Sequence, residues 1–549
     1  MPDREPGSQP ARRVNVTFSP PTPNGDLHLG HLAGPVLNSD ICARSQKILG
    51  SDVAFGTSTD DNQTYVVTTA ARIGVTPEDL IQRALAEMTD SLQLGGIAVD
   101  LFERPDADYE RFVRSFFTTL WQKGAFDQRE VYLPYDDEAG AYRAEAFVTG
   151  RCPTCLAHAR AGVCETCGLY NLPQALLPMV DDIGRLPRRP VRIWTLDLER
   201  YRAMIEAWYE RSDVAMRPDL ERVVRETLRD RLPYIPITYP IDWGIAVDWD
   251  GPDAPPQTIN AWPEIYVGHV YWLNQARADT RGCDELVQFI GIDNGFYNAF
   301  VYLTLSLLGS EHGLPVTLPK TRTLTNQYYL LEGRKFSTSK GDVLWAGDYL
   351  RSAGRDRARF LLALTSPEVQ KAEFVESVAA DTLASLFDQP VTTIEAALGL
   401  LVGCEVGGLP SKWWQRAIDA SVRRFEAAYD LAHFSVRGAA EALALHLEVL
   451  ALRLETLDIN DPAEISGVLT FLWTLRTLAW PVTPDLADNV ARCFGQPAGQ
   501  DPAGQDIVPL LDEIGRTPPG PLCSAELTRH QTLADHAFAT GRSLAPSGI

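Results

Sequence analysis

The chain has 549 residues, of which 45% are hydrophobic, and carries a formal net charge of −22. That length provides for several cores and roughly three domains, and so large an acidic excess argues against a surface built mainly to hold polyanions, because phosphate contacts need clustered Lys and Arg. No run approaches the roughly 18 apolar residues of a membrane span, and the opening MPDREPGSQPARR is polar without an apolar h-region, so a cytoplasmic protein is expected.

The first predicted element is a strand over Val14–Phe18. A turn containing Pro20, Pro21, Pro23, Asn24 and Gly25 stops it, and a helix starts near His28 in the run His28-Leu-Gly-His31. A helix N-terminus offers unpaired N–H groups and a positive dipole end, so this turn aims two imidazoles at a phosphate. The next stretch, to about residue 120, alternates apolar strands such as Val53–Phe55 with helical segments such as Pro77–Leu92, a βα pattern that predicts a parallel sheet.

Residues 121–235 read as an insertion with mixed elements. It holds Cys152-Pro-Thr-Cys155 and Cys164-Glu-Thr-Cys167, two CxxC knuckles eight residues apart. Four thiolates at that spacing close a tetrahedral structural zinc site and leave no open position for catalysis. The other cysteines (Cys42, Cys283, Cys404, Cys493, Cys523) follow no pattern.

Strands return from 236 to 365, including Leu286–Ile290, which ends at Gly291 and Asp293. In an open α/β sheet ligands gather at the carboxyl ends of the strands, here near the HLGH turn. The segment Glu332-Gly-Arg-Lys335-Phe-Ser337-Thr-Ser339-Lys340 puts cations on a Ser/Gly-rich loop suited to the β- and γ-phosphates of ATP. From about 366 apolar residues recur at helical spacing, as in Ala439–Leu457 and Ile465–Trp480, which predicts a helical bundle to about 510, followed by a tail over 511–549. Lys412, Arg416, Arg423 and Arg424 line one face of a predicted helix, a possible basic patch or simply a solvated face.

HLGH resembles the HIGH element of class I aminoacyl-tRNA synthetases, and PTPNGDLHLGHL is most similar to the methionyl type. KFSTS resembles the KMSKS loop of the same class in its KFSxS form, in the correct order along the chain, and the methionyl family carries a zinc knuckle in its connective insertion. The resemblance covers residues 14 to about 495. It implies a Rossmann-like parallel-sheet catalytic domain in two halves (14–120 and 236–365), the zinc-knuckle connective insertion (121–235) and a C-terminal α-helical bundle like an anticodon-binding domain (366–510). It also implies ATP and Mg2+ as cofactors and the formation of an aminoacyl adenylate. By the same likeness His28, His31, Lys335 and Lys340 are catalytic. Asn24, Gly30, Gly291, Asp293, Ser337 and Ser339 contact the nucleotide. Ser19, Asp60, Asp61, Trp262, Ile265, His269, Asn294 and Asn298 contact the amino acid.

The departures from the family are concentrated in the amino-acid pocket. Where the family reads W-F/L-D-A-x-I-G-Y, this chain has Trp262-Pro-Glu-Ile265-Tyr-Val-Gly-His269, so Ile265 replaces a small residue and His269 a tyrosine. Pro20 and Thr22 replace a leucine and a tyrosine, and Asn298 replaces a histidine; Ile292 and Thr338 stand in place of lysines, and Tyr239-Pro240 in place of an Arg-Asp pair. Asp60 and Asp61 keep acidic groups able to hold an α-ammonium. The polar lining left by Thr22, Asn62, Asn294, Asn298 and His269 suits a small or polar amino acid better than a thioether, because each buried donor or acceptor left unpaired costs about 1–3 kcal/mol.

The family's anticodon-reading segments correspond to Asp381–Glu395 and Leu452–Pro462, and neither carries the expected Asn, Arg or Trp residues. These losses are similar to those of metabolic paralogues, including the synthetase-like part of hydrazine synthetases, which pass an activated amino acid to an N-hydroxylated amine. The expectation is therefore a small-molecule acceptor. The alternatives are a working methionyl-tRNA synthetase with tRNA as its partner, and a non-catalytic nucleotide- or partner-binding paralogue. The nine histidines form no metal-binding pattern, so a cupin would be a separate partner protein.

Overall fold

The structure is a computed structural model that describes residues 11–177, 186–211, 214–251, 254–277, 282–316, 320–335, 343–401, 404 and 409–496. Its centre is a six-stranded sheet. In chain order the strands are β1 (Arg13–Phe18), β2 (Asp52–Ser58), β3 (Leu101–Glu103), β4 (Ala215–Met216), β5 (Glu285–Gly291) and β6 (Lys320–Asn326). They lie in the spatial order β4-β6-β5-β1-β2-β3, and every pair is parallel. Because helices cover both faces, β1 is buried along both edges of its pleat: Val14, Val16 and Phe18 on one side and Asn15 and Thr17 on the other are at most 4% exposed.

The strand order reverses between β1 and β5, with Val14 opposite Glu285 and Phe18 opposite Phe289. Chain connections leave in opposite directions there, which opens a crevice at the carboxyl ends of these two strands. The HLGH turn leaves from the end of β1, and Gly291 ends β5.

The helix Leu37–Ile48, directly after the HLGH segment, packs on β1 and β2. Ala261–Ala276 packs against β2 from within the second half of the chain. Between the halves, an antiparallel ribbon of Asp127–Asp136 and Arg188–Asp197 carries two small hairpins, Thr149–Arg151 with His158–Arg160 and Gly162–Val163 with Tyr170–Asn171, on which the four knuckle cysteines sit.

Beyond residue 366 most of the described chain is helical: Glu376–Leu383, Gln389–Leu401, Lys412–Tyr429, Val436–Glu455, Pro462–Ala479 and Pro484–Cys493. One short strand, Ala372–Phe374, pairs in parallel with Tyr329–Leu331, which in turn pairs with Arg334–Lys335. The bundle's apolar faces join the core built on β1 and β5. Arg359 fastens the two parts together. It is 1% exposed and donates to Gly95 and Val482 carbonyls at 2.9 Å, and to the Pro481 carbonyl and the Asp40 carboxylate at 2.6 Å. Lys412, Arg416, Arg423 and Arg424 share the helix Lys412–Tyr429 and are exposed or half-exposed. Among the described residues no helix is long and apolar enough to cross a membrane.

Candidate active site

The HLGH helix begins at Leu29, with His28 as its N-cap. The His31 backbone N–H donates to His28 Nδ1 at 3.2 Å and the His28 N–H donates to His31 Nδ1 at 3.4 Å, a reciprocal capping box. A backbone amide can only donate, so each Nδ1 must carry a lone pair. With Nδ1 accepting, Nε2 is the donor nitrogen of each ring. The rings stack with centroids 3.6 Å apart at 11°, an arrangement that two cations would oppose. Gly30 lies inside this first turn and Asn24 in the loop before it. Gly25 takes φ +152°, and a Cβ there would lie 3.0 Å from the Trp345 ring, so only glycine lets the turn close on that tryptophan.

Trp345 lies downstream of the KFSTSK segment, and its neighbours tie Leu344–Ala346 to the residues beside His28. Leu29 N–H donates to the Leu344 carbonyl at 2.9 Å and Ala346 N–H to the Leu27 carbonyl at 2.7 Å, with His28 and Trp345 bridged in antiparallel fashion. On the upstream side the backbone of Lys335 belongs to the short strand Arg334–Lys335 rather than to a loop. Ser337, Ser339 and Lys340 lie outside the described residues.

The remaining expected residues fall into three groups around the same strand ends. Ser19 extends β1, its N–H donating to the Phe289 carbonyl of β5 at 3.0 Å. At the end of β5, Asp293 and Asn294 form a single helical turn after Gly291, with the Asp293 carboxylate folded back over Gly291, and the Asn294 carbonyl accepts from Asn298 Nδ2 at 3.2 Å. After β2 come Asp60, whose N–H donates to the Pro21 carbonyl at 3.0 Å, and Asp61, whose carboxylate pairs with Arg104 at 3.0 Å. Trp262, Ile265 and His269 follow one another along the helix Ala261–Ala276, Trp262 stacking on Tyr297 at 4.7 Å and His269 meeting Tyr302 edge-on at 6.4 Å.

The electrostatics of this pocket are acidic and dry. Burial, then the nearby Glu264, raises the Asp60 carboxyl well above the usual range, and burial also raises Asp61 against the pull of Arg104. Glu264 is pushed up to about 8 by burial, and His269 is pushed down to about 4 by burial alone. Glu264, Tyr109, Arg104 and Glu145 belong to this pocket although the motifs did not point them out. Glu264 Oε1 accepts from Asn62 Nδ2 at 2.7 Å and from Tyr109 Oη at 3.0 Å, and Arg104 holds Asp61. Gly268 makes room for this: a Cβ there would lie 2.8 Å from Tyr109 Oη. The fourth, Glu145, sits in the insertion at φ +49°, is raised to about 7 by burial, and contacts Tyr239 and Trp262. Residues 62, 109, 145 and 264 are far apart in sequence; the one local signal was an acid inside an otherwise apolar helix. Beside the pocket a cavity opens between β5, β6 and the helical layer, lined by Tyr266, Gln288, Asn298, Tyr302 and Ser306 among others.

The four cysteines converge away from these strand ends. All four Sγ atoms lie within 4.8 Å of one another, Cys152 to Cys167 at 3.8 Å and Cys155 to Cys164 at 3.6 Å, and none forms a disulfide. Those separations match the edges of a tetrahedron with Zn–S bonds of about 2.3 Å, so the residues fit a structural zinc ion. Tyr328 Oη donates to the Glu165 carbonyl inside the second knuckle, which ties this hairpin pair to the strand leading into the KFSTSK segment.

Residues 14–392 match the family described as tRNA synthetases class I (M). The chain is 26% identical over 528 residues to a methionine–tRNA ligase of Chlorobaculum tepidum, covering 88% of this chain and 73% of the relative. It is 29% identical over 382 residues to one of Christiangramia forsetii, covering 66% and 54%. Among solved structures it is similar to Mycobacterium tuberculosis methionyl-tRNA synthetase in complex with methionyl-adenylate, with a TM-score of 0.70 and 17% identity over 93% of this chain and 98% of that one, a likeness of fold. The chain therefore belongs to the class I tRNA synthetases of the methionyl type, a family of ATP-dependent ligases.

Proposed function

We propose that this enzyme activates a small or polar amino acid as its adenylate and passes the aminoacyl group to a small-molecule acceptor, an N-hydroxylated amine of the kind used in N–N bond formation. The amino-acid carboxylate attacks the α-phosphorus of ATP, and pyrophosphate leaves. His28 and His31, donating through Nε2, complement the charge developing at the α-phosphate, and Lys335 with Lys340 complements the departing pyrophosphate. Mg2+ accompanies the nucleotide. Gly291 and Asp293 lie where the ribose would rest, and Asp60 and Asp61 face the α-ammonium. No side chain acts as nucleophile; positioning and charge complementarity supply the rate. In the transfer step the acceptor's hydroxyl oxygen attacks the acyl carbon, AMP leaves with the bonding electrons, and the hydroxyl proton passes to solvent. A separate cupin partner would act on the resulting ester.

The observation that carries this reading is the rebuilt pocket. Among the described residues Glu264 Oε2, both nitrogens of His269 and Asn298 Oδ1 are buried without partners, and a thioether offers none of them a donor. Support for the acceptor is the replacement of the family's anticodon-reading residues in 381–395 and 452–462. The relatives named as methionine–tRNA ligases favour the competing reading, that the chain charges tRNA with methionine. Amino-acid-dependent exchange of labelled pyrophosphate into ATP tests both. The assay runs across the standard amino acids, with and without N-hydroxylated amines and bulk tRNA, and with Lys335→Ala as control. Exchange by a polar amino acid, lost in the control, is expected, and consumption of the adenylate by the hydroxylated amine identifies the acceptor. Exchange with methionine alone and an acid-stable methionyl product on tRNA would return the chain to translation.

A further inference from the structure

The proposed amino-acid pocket contains more acid than one α-ammonium can answer. Glu264 is 3% exposed and uses only Oε1, toward Asn62 and Tyr109; its Oε2 is buried with no partner. Further along the same helix His269 is 4% exposed, with neither ring nitrogen partnered. Glu264 raises the Asp60 carboxyl, Asp60, Asp61 and Glu264 all act on Tyr109, and Tyr302, whose ring meets His269 edge-on at 6.4 Å, is acted on by Asp60.

Charge sets what this space accepts. Asp60, Asp61 and Glu264 are three acids in mutual range, and the cation paired with them, Arg104, is divided between Asp61 at 3.0 Å and Glu78 at 2.7 Å. The α-ammonium of a bound amino acid adds one positive charge beside Asp60 and Asp61. Glu264, which burial holds protonated up to about 8, still has an unused oxygen, and an amine brought against it would take that proton and pair with the carboxylate as a hydrogen-bonded cation. A carboxylate side chain would meet three acids, and an alkyl or thioether chain would leave Oε2 unpaired.

We propose that Glu264, with His269 beside it, reads the side chain of the amino acid, and that this side chain ends in an amine: the substrate is a diamino acid of the ornithine and lysine class. This assignment rests on the adenylation reading for the identity of the pocket and narrows it to one substrate class. Glu264 is a specificity-determining residue; the reacting carboxylate and phosphate are elsewhere. A site built around a hydrogen bond to one group rejects the analogue that lacks it far more strongly than an apolar pocket rejects a missing methylene.

The test is calorimetric titration of the full chain with lysine, ornithine, norleucine, methionine and serine, paired with pyrophosphate exchange for each. Norleucine keeps the length of the lysine side chain and loses its amine. A diamino acid is expected to bind at least about 100-fold tighter than norleucine or methionine. Glu264→Gln, isosteric and uncharged, should collapse that preference and raise the amino-acid KM while leaving the ATP KM unchanged. Tyr109→Phe, which removes one hydrogen bond to Oε1 and keeps the ring, should weaken diamino-acid binding several-fold and serves if the Gln variant folds poorly.

The proposal is overturned if methionine, norleucine or serine binds as tightly as the diamino acids, if no diamino acid binds, or if Glu264→Gln keeps the wild-type preference. Binding and exchange separate the two readings. Diamino-acid binding without any exchange would overturn adenylation and leave this assignment standing, whereas exchange driven by methionine would overturn this assignment and leave adenylation standing.

Discussion

Replacing Arg359 with methionine should cost about 4 kcal/mol of stability, most of it through one carboxylate. Asp40 is fully buried and accepts from Arg359 at 2.6 Å, from Arg44 at 2.9 Å and from the Ala98 N–H at 2.8 Å. Methionine fills much of the arginine stem, so the cavity contribution is small, but Asp40 keeps only one cation. The carbonyls of Gly95, Pro481 and Val482 lose a charged donor at the junction between the sheet and the bundle. Breaking a buried pair costs about 3–5 kcal/mol because a charge is left uncompensated, and the retained Arg44 keeps the expectation inside that range. Urea denaturation followed by tryptophan fluorescence and far-ultraviolet dichroism reads the loss as a shift in the first transition. A cycle with Asp40→Asn adds a sharper criterion: removing both partners should cost at least about 1.5 kcal/mol less than the sum of the single changes. A single-variant loss under about 1 kcal/mol, or strict additivity, would refute the claim that this pair joins the two parts of the chain.

Removing either histidine by His28→Ala or His31→Ala should lower kcat for pyrophosphate exchange by about 10²–10³-fold with little change in the amino-acid KM, as expected for donors that act on developing charge; an unchanged kcat would remove them from the mechanism. Elemental analysis of the purified chain should find one zinc per chain, and Cys164→Ala should abolish it and expose the hairpins around residues 149–171 to proteolysis; a metal-free wild type would refute the site. Stability should fall as the pH rises from 6.5 to 8. Burial holds Glu264 protonated to about 8 in the folded chain against an ordinary 4.5, so across that interval the folded state binds more protons than the unfolded one. His269 and His446, depressed by burial to about 4 and about 3 against an ordinary 6.5, act in the opposite sense, an effect that fades as the pH rises from 6.5 toward 8. Melting temperatures at pH 6.5, 7.2 and 8 check this, and Glu264→Gln should flatten the decline; a wild-type melting temperature that rises over the interval would contradict it.

Short-range patterns were legible without a structure. The apolar run Val14–Phe18 with its Pro/Gly stop, the two CxxC spacings and the 3.6-residue periodicity beyond 366 each follow from local backbone chemistry, and they placed β1, the cysteine cluster and the bundle helices to within a few residues. The succession of short apolar runs and helical segments also announced the parallel sheet, because strands covered on both faces read as apolar runs.

Tertiary structure alone decided what the pocket demands of its ligand. Glu264 in sequence is one acid in an apolar helix; it becomes a reading group only because Asn62, 202 positions away, and Tyr109, 155 positions away, take one oxygen and leave the other. The orientation of His28 and His31 likewise comes from a reciprocal cap whose geometry HLGH does not spell out, and their link to Leu344–Ala346 joins segments more than 300 residues apart. Periodicity encodes which face of an element is buried, whereas the pairing of a buried polar atom depends on which distant element the fold brings within three ångströms of it.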